Sequence, residues 1–444
     1  MSRPAIVLGI AGLYLLASLV LGLVPAARSS KSASGYVAGD RGLGLLVMYF
    51  ITGATIFSAF AFLGLPGWAY SRGAAAFYIM AYGTLGMMPL YFLGPRAARV
   101  GRRFDFVTQG EMMAHRFREP LLAGWMALVS VAAFVPYLAL QMKGAGFVLE
   151  TMSEGAIPAA WGELLVYGVV TVYVLGSGVL GVGWTNTFQG AFMMVLAWGL
   201  GLYLPAQLHG GVTAMFDQLA QAKPELLTVP GLGADGRPWS AWTYGSSVLV
   251  SMVGFSMWPH LFMKSFGAKD VRTLKRTVVL YPTFQIFLLP LLFIGFAGIG
   301  LATTPERPDQ ILPHILMSSD IGAIWVGVFC AGALAASMSS GDAMAHAAAS
   351  IAIRDGWLTS RGREAPPRLE RRLIQASVLV VMVLAYGVAI AYRGSLVTLL
   401  LTTYGAVVQF APGVVCALYV PRARGRAVLT ALVLGTGITA LLVL

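Results

Sequence analysis

The decapeptide 337-SMSSGDAMAH-346 places three hydroxyls, a carboxylate and an imidazole inside an otherwise apolar segment. Ser339 and Ser340 share one face of a helix that turns about 100° per residue. Asp342 and His346 lie close to Ser339, so these polar groups form one stripe. Hydroxyl oxygens and freed backbone carbonyls can coordinate a hard monovalent cation. The stripe is therefore a candidate ion site.

Helix association is the alternative explanation for Ser339 and Ser340, because serines also join membrane helices by hydrogen bonds. Asp342 favours the ion site over this alternative. Carboxylates within a membrane are costly, and they usually mark ion or substrate routes.

The composition around this stripe is that of an integral membrane protein. Of 444 residues, 58% are hydrophobic and 11% are charged, whereas a soluble domain is about 25% charged. Repeated apolar stretches of about 20 residues can each cross roughly 30 Å of hydrocarbon as a helix. We therefore predict an all-α membrane protein whose twelve spans cover residues 5–24, 43–70, 75–94, 122–148, 160–178, 184–205, 240–262, 276–301, 320–353, 373–392, 395–419 and 426–443.

The formal charge of +12 indicates membrane topology and requires no nucleic-acid partner. If the N-terminus is outside, most of the 30 basic residues fall in the five loops that face inward. One of these loops is predicted to begin with Lys264 and Lys269. The positive-inside rule then predicts that both termini face outward from a bacterial inner membrane. The oligomeric state is left open.

Two predicted spans contain sequence interruptions, 63-LGLPG-67 and 254-GFSMWPH-260. A simple proline kink could explain either one alone. Their separation by five spans, however, predicts two five-helix repeats of inverted topology with a binding site between broken helices. The predicted units of this single transmembrane domain, residues 1–444, are a leading helix at 5–24, repeats at 43–205 and 240–419, and a trailing helix at 426–443.

Six motifs of the chain resemble those of the sodium/solute symporters, a family that includes bacterial proline, galactose, sialate, acetate and pantothenate transporters. The motifs are 35-GYVAGDRGLG-44, 58-SAFAFLGLPGWAY-70, 184-WTNTFQG-190, 258-WPHLFMKSFGAKD-270, 334-LAASMSSGD-342 and 350-SIAIRD-355. The resemblance implies an inverted-repeat bundle of LeuT type and secondary active transport driven by sodium.

The resemblance also implies a sodium site that uses two carbonyls of the first helix of the bundle, and one carbonyl and two hydroxyls of its eighth. The matching positions are Ala54, Phe57, Ala336, Ser339 and Ser340. Asp342 would tune this site or ease ion exit, with His346 as a possible inward partner. Asn186 stands where the family commonly has aspartate, so we expect one coupling ion per cycle.

The segments 256-SMWPHLFMKS-265 and 404-YGAVVQFAPG-413 resemble the bacterial monocarboxylate branch of the family, which predicts a small organic solute. Lys143 would add a cation for a carboxylate, unless its side chain only extends to the outer surface. The other candidate lining residues, for which helix packing is the alternative, are Ser58, Phe60, Ser256, Trp258, Tyr404 and Gln409.

Several alternatives to sodium symport fit the sequence. A proton-coupled symporter would use Asp342 and His346 as a relay, and the solute could instead be an amino acid, pantothenate or a sugar. A sensor or a channel is also compatible with a membrane bundle. An enzyme is not expected, because the chain has no His-Glu-x-x-His or Gly-x-Ser-x-Gly motif.

Overall fold

The computed structural model of the protein describes residues 2–25, 32–318, 321–392 and 404–443. Helices dominate these residues, and no β-strand occurs among them. The first ten helices are α1 Arg3–Leu23, α2 Ala33–Ala38, α3 Leu45–Ile56, α4 Leu65–Arg72, α5 Phe77–Gly86, α6 Met88–Phe104, α7 Gln109–Phe117, α8 Pro120–Met152, α9 Ala159–His209 and α10 Val212–Ala222. The remaining ten are α11 Ala241–Met257, α12 Pro259–Phe262, α13 Lys264–Gly267, α14 Val271–Gln285, α15 Leu288–Ala297, α16 Ile311–Ser318, α17 Ala323–Ile353, α18 Pro367–Ala391, α19 Phe410–Tyr419 and α20 Gly425–Val443.

Within the described residues, eight helical segments are long and apolar enough to cross a membrane, or nine if the bent segment from α11 to α13 counts as one span. The twelve predicted spans are consistent with this number, because α9 covers two of them. Gly178 divides α9 with φ 56° and ψ −143°. A side chain there would meet the carbonyl oxygen of Tyr36 at 2.5 Å, so the kink requires glycine. Residues 395–403 of the predicted span 395–419 lie outside the described residues.

The first broken span consists of α3 and α4. Helix α3 ends at Ile56, and Phe57 leaves the helix with ψ 77°. The chain resumes in a π-helical turn, Phe60–Gly64, before α4. The break was predicted at 63-LGLPG-67, but the helix is interrupted at Phe57, several residues earlier. Pro66 stands in the first turn of α4, where a missing N–H is tolerated.

The second broken span bends by 57° between α11 and the α12–α13 segment. Its break is at Trp258, within the predicted stretch 254–260, with ψ 122°. Pro259 explains this geometry, because proline disfavours the helical conformation of the preceding residue. Proline also suits the first position of a new helix, and Pro259 opens α12.

Helix α17, which contains the polar stripe, lies at the centre of the bundle. Every residue from Phe329 to Ile351 is buried. Its neighbours include α1, α3, α8, α9 and α18. A helix buried on all sides can place polar groups only where other helices satisfy them, so the stripe depends on its neighbours.

Candidate functional site

The end of α3 leaves two backbone carbonyls without their helical partners. Ser58 N–H donates to the carbonyl of Ile56, and Ala59 N–H donates to the Gln141 side chain at 2.8 Å. The carbonyls of Ala54 and Thr55 would have accepted these two N–H groups in a continuous helix. The break thus directs two carbonyl oxygens toward α17.

The two serines of the stripe occupy these carbonyls. Ser339 Oγ lies 3.0 Å from the carbonyl oxygen of Ala54 and 3.2 Å from that of Ala336. Ser340 Oγ donates to the carbonyl of Thr55 at 2.7 Å. Both serines are fully buried. The structure therefore brings four of the five expected sodium ligands together.

Phe57, the fifth expected ligand, is the C-cap of α3 at the break itself. Its ring packs against Phe287 and Phe284, with centroids 3.7 and 4.9 Å away. Thr55 was not predicted, although its carbonyl accepts the hydrogen bond of Ser340. Matching by motif could not reveal this contact, which depends on how the two helices face each other.

Asp342 turns away from the serines toward α9. Tyr173 donates to its carboxylate at 2.8 Å and Thr185 at 3.1 Å. Asn186 Nδ2 lies 3.1 Å from each carboxylate oxygen. The buried carboxylate thus receives hydrogen bonds from three side chains, which compensate for its removal from water.

His346 is not the hydrogen-bonding partner of Asp342 among the described contacts. Its Nε2 lies 3.0 Å from the carbonyl oxygen of Tyr36. Its ring packs 5.2 Å from the ring of Tyr36, centroid to centroid. The expected Asp342–His346 pair is therefore replaced by contacts to different helices, α9 and α2.

Lys264 is a buried residue that the sequence analysis wrongly placed in an inward-facing loop. It is only 8% exposed. Its Nζ donates to the carbonyl of Ile51 at 2.5 Å and to Thr55 Oγ1 at 2.9 Å. After the second helix break, α13 brings Lys264 to the last turn of α3. A lysine expected at a membrane surface therefore lies in the core. No local sequence signal distinguishes these two placements.

A small cavity lies between the two helix breaks. Three of the expected lining residues, Phe60, Trp258 and Tyr404, contribute to its wall. The cavity volume is about 40 Å³, which is enough for a few water molecules or a small solute. Sequence reasoning missed four polar wall residues, Tyr82, Tyr137, His260 and Gln285.

Four other expected lining residues do not line this cavity. Ser58 and Ser256 are fully buried, and Ser256 Oγ donates to the carbonyl of Val253 in its own helix. Gln409 lines a separate cleft between α19 and α20. Lys143 Nζ donates to the carbonyls of Ala389 and Tyr392 at 3.0 and 2.8 Å. It therefore caps the end of α18, where carbonyls lack helical partners.

Buried hydroxyl and carbonyl oxygens beside breaks in two membrane helices, with a cavity between the breaks, are typical of a secondary transporter. The sodium:solute symporter family model matches residues 36–435, and the chain belongs to this family. The expectation that it is not an enzyme is confirmed, because family members are transporters.

Three relatives illustrate the range of the family. An uncharacterized symporter of Bacillus subtilis is 31% identical over 91% of this chain and 82% of its own. The sodium/pantothenate symporter of Escherichia coli is 27% identical, over 90% of this chain and 82% of its own. A monocarboxylate transport permease protein of Rhizobium johnstonii is 23% identical, over 78% of this chain and 69% of its own.

A solved structure of a Na⁺-coupled sialic acid symporter, in a substrate-bound outward-open state, resembles the fold of this chain. The TM-score is 0.80 at 17% identity, over 98% of this chain and 97% of the other. The predicted LeuT-type bundle is confirmed. The protein is thus a multi-pass membrane symporter of a small solute, and sodium is its coupling ion.

Proposed function

We propose that the protein imports a small monocarboxylate, together with one sodium ion per cycle, across a bacterial inner membrane. The observation that carries the solute class is the wall of the cavity between the helix breaks. Aromatic side chains make up about half of its lining, and His260 Nδ1 is buried there without a hydrogen-bond partner. In the tautomer that carries its proton on Nδ1, this nitrogen is a buried unpaired donor, which favours a ligand that accepts a hydrogen bond.

A carboxylate satisfies this requirement better than a cation. None of the described residues that line the cavity is acidic, and its polar groups include three tyrosines, His260 and Gln285. These groups can all donate hydrogen bonds to an anion. The small volume favours acids such as pyruvate, lactate or acetate over larger solutes. Pantothenate, a larger carboxylate, is the main alternative suggested by a relative.

For sodium, we propose the ligands Ala54, Phe57, Ala336, Ser339 and Ser340. The support is the buried contact of the Ser339 hydroxyl with the carbonyls of Ala54 and Ala336. The Ser340 hydroxyl contacts the neighbouring carbonyl of Thr55. On ion binding, each hydroxyl would turn its proton away and present a lone pair. The ion would thereby replace the hydroxyl–carbonyl hydrogen bonds between α3 and α17.

Alternating access follows from a site shared by two helices. In this proposal, sodium joins α3, in the repeat 43–205, to α17, in the repeat 240–419. Inward opening separates the two helices, breaks the site and releases both ion and solute. Sodium can favour the outward-open form only by its higher affinity for that state.

Uptake into proteoliposomes under an imposed sodium gradient tests both parts of the proposal. The solute panel contains pyruvate, lactate, acetate, pantothenate, proline and a sugar. We expect monocarboxylates to be accumulated and a sodium gradient to be required. Accumulation of proline or the sugar alone would contradict the solute class.

The serine variants test the ion site separately from the solute. We expect Ser339→Ala or Ser340→Ala to raise the sodium concentration for half-maximal uptake by about tenfold, because each loses one oxygen ligand. Ser337→Ala is a matched control, since Ser337 Oγ donates to the carbonyl of Gln141 and contacts the hydroxyl of Tyr167. Unchanged sodium dependence in both serine variants would show that the site lies elsewhere.

A further inference from the structure

Lys264 is a buried charge that sodium-coupled import does not by itself require. Its ammonium group binds the last turn of α3, at Ile51 and Thr55. Thr55 is also the residue whose backbone carbonyl receives the hydroxyl of Ser340. The ammonium group is therefore one residue removed from the proposed ligand Ala54, in a part of the core from which water is largely excluded.

A chain of hydrogen bonds connects Lys264 to Asp342. Thr55 Oγ1, which accepts from Lys264, lies 3.2 Å from Asn186 Oδ1. Asn186 Nδ2 in turn lies 3.1 Å from each oxygen of the Asp342 carboxylate. The positive and the negative group thus belong to one polar network around the end of α3.

The charges of this network have opposite effects on a bound sodium ion. When Lys264 is protonated and Asp342 is ionised, their charges sum to zero without sodium, and sodium raises the sum to +1. A like charge close by weakens cation binding, and the effect is large where the dielectric constant is low. Asp342 offsets part of this repulsion, but it is directed toward α9 and is not in contact with the serines.

We propose that Lys264, in its protonated form, weakens sodium binding at the neighbouring site and thereby speeds the release of sodium. The inference rests on the proposed sodium site and adds a determinant of its affinity. A symporter needs such a determinant, because an ion bound too tightly leaves slowly and limits turnover. Lys264 also lines a small cavity that shares His260 with the solute cavity. Movement of α13 would therefore change both the ion site and the small cavity that Lys264 lines.

Binding of ²²Na⁺ to the purified full-length protein tests the proposal without knowledge of the solute. The key variants are Lys264→Met and Lys264→Gln, since glutamine can still donate a hydrogen bond to Ile51 or Thr55 but carries no charge. We expect both to bind sodium about tenfold more tightly, because each removes a like charge from the neighbourhood of the site. The dissociation rate of ²²Na⁺ should fall in proportion.

Neutralisation of Asp342, alone and together with Lys264, distinguishes this electrostatic role from a merely structural one. Asp342→Asn should weaken sodium binding about tenfold, and the double variant Lys264→Gln/Asp342→Asn should return close to the wild-type affinity. Lys264→Arg keeps the charge and should stay near wild type. Lys269→Met removes an exposed lysine five residues further along and should change nothing.

Weaker or unchanged sodium binding in Lys264→Gln would overturn the proposal. If Ser339→Ala and Ser340→Ala still lose sodium binding in that case, the proposed site stands and only the role of Lys264 is wrong. If the serine variants bind sodium normally, the site is misplaced and the proposal for Lys264 fails with it. Should Lys264→Met not yield folded protein, Lys264→Gln and its double variant decide the matter.

Discussion

The hydroxyls of Ser339 and Ser340 take the place of backbone N–H groups that the end of α3 lacks. Their distances to the carbonyls of Ala54 and Thr55, 3.0 and 2.7 Å, are those of ordinary hydrogen bonds. In the proposed site, the same contacts would serve helix association without sodium and ion coordination with it. The two explanations offered by the sequence would then be successive states of one contact.

Asn186 is a neutral residue of α9 that contacts the carboxylate of Asp342. Its amide nitrogen lies 3.1 Å from both oxygens of Asp342. We expect Asn186→Asp to place two buried carboxylates side by side, which repel unless a cation or a proton joins them. Sodium should supply that cation, so the Hill slope of sodium-dependent uptake should rise from about one to about two.

The control for this prediction is Asn186→Ala, which removes the amide without adding a charge. It should keep a Hill slope of about one, even if its affinity falls. A slope that does not change in Asn186→Asp would contradict our account of this position. A pH-dependent loss of uptake at constant slope would indicate that a proton joins the carboxylates.

At the scale of helices, the sequence analysis located one break of the two correctly. Pro259 determines its own surroundings, so the break at Trp258 could be predicted from neighbouring residues. The break at Phe57 has no such local cause. It is stabilised by partners distant in sequence, namely Gln141 at the N–H of Ala59 and the two serines at the freed carbonyls.

Long-range contacts also explain which site residues were missed. Motif matching found the serines and three cavity residues, of which Phe60 and Trp258 lie at the helix breaks. It could not find the function of Lys143, whose acceptors lie at the end of α18, or the burial of Lys264 beneath α3. The role of a lysine at a predicted helix end depends on tertiary packing.

A second group of charges joins helices at the end of α17 that we propose faces inward. Arg354 Nε lies 2.6 Å from Glu111 on α7, and its Nη1 lies 3.2 Å from Glu370 on α18. Glu111 also closes a capping box with Thr108, which in turn donates to Asp355 at 2.5 Å. These contacts hold three helices together at one end of the bundle.

We expect Arg354→Gln to favour inward opening, because it leaves Glu111 and Glu370 without their shared cation. Loss of about 1 kcal/mol of interaction would shift the balance between states about fivefold. The measurement is the rate at which a polar maleimide labels Ala347→Cys in a background without Cys330 and Cys416. Ala347 lines the same small cavity as Lys264.

Arg361→Gln is the matched control, because Arg361 is exposed and stacks on Trp357 at 4.3 Å without joining the three helices. Its labelling rate should equal that of the parent protein. Slower labelling in Arg354→Gln than in the control would show that the ion pairs do not hold the inner end closed.

For the whole molecule, the distribution of basic residues predicts the orientation that the import proposal requires. Sodium and solute must enter at the outer face, so the basic loop that follows α17 should lie inside. Arg361 and Arg363 belong to this loop, and Arg368 stands in the first turn of α18, which follows it. Positive loops are retained on the cytoplasmic side during insertion. Ser2, before the first helix, should then face outward.

Cysteine labelling in intact cells tests this orientation. Ser2→Cys and Glu364→Cys are both exposed positions, and each is introduced alone in the background without native cysteines. A membrane-impermeant maleimide should label Ser2→Cys in intact cells and Glu364→Cys only after the cells are opened, because the charged reagent cannot cross the hydrocarbon core. The reverse pattern would place the Arg354 group at the outer face, and inward sodium flow would then meet α3 and α17 from the opposite side.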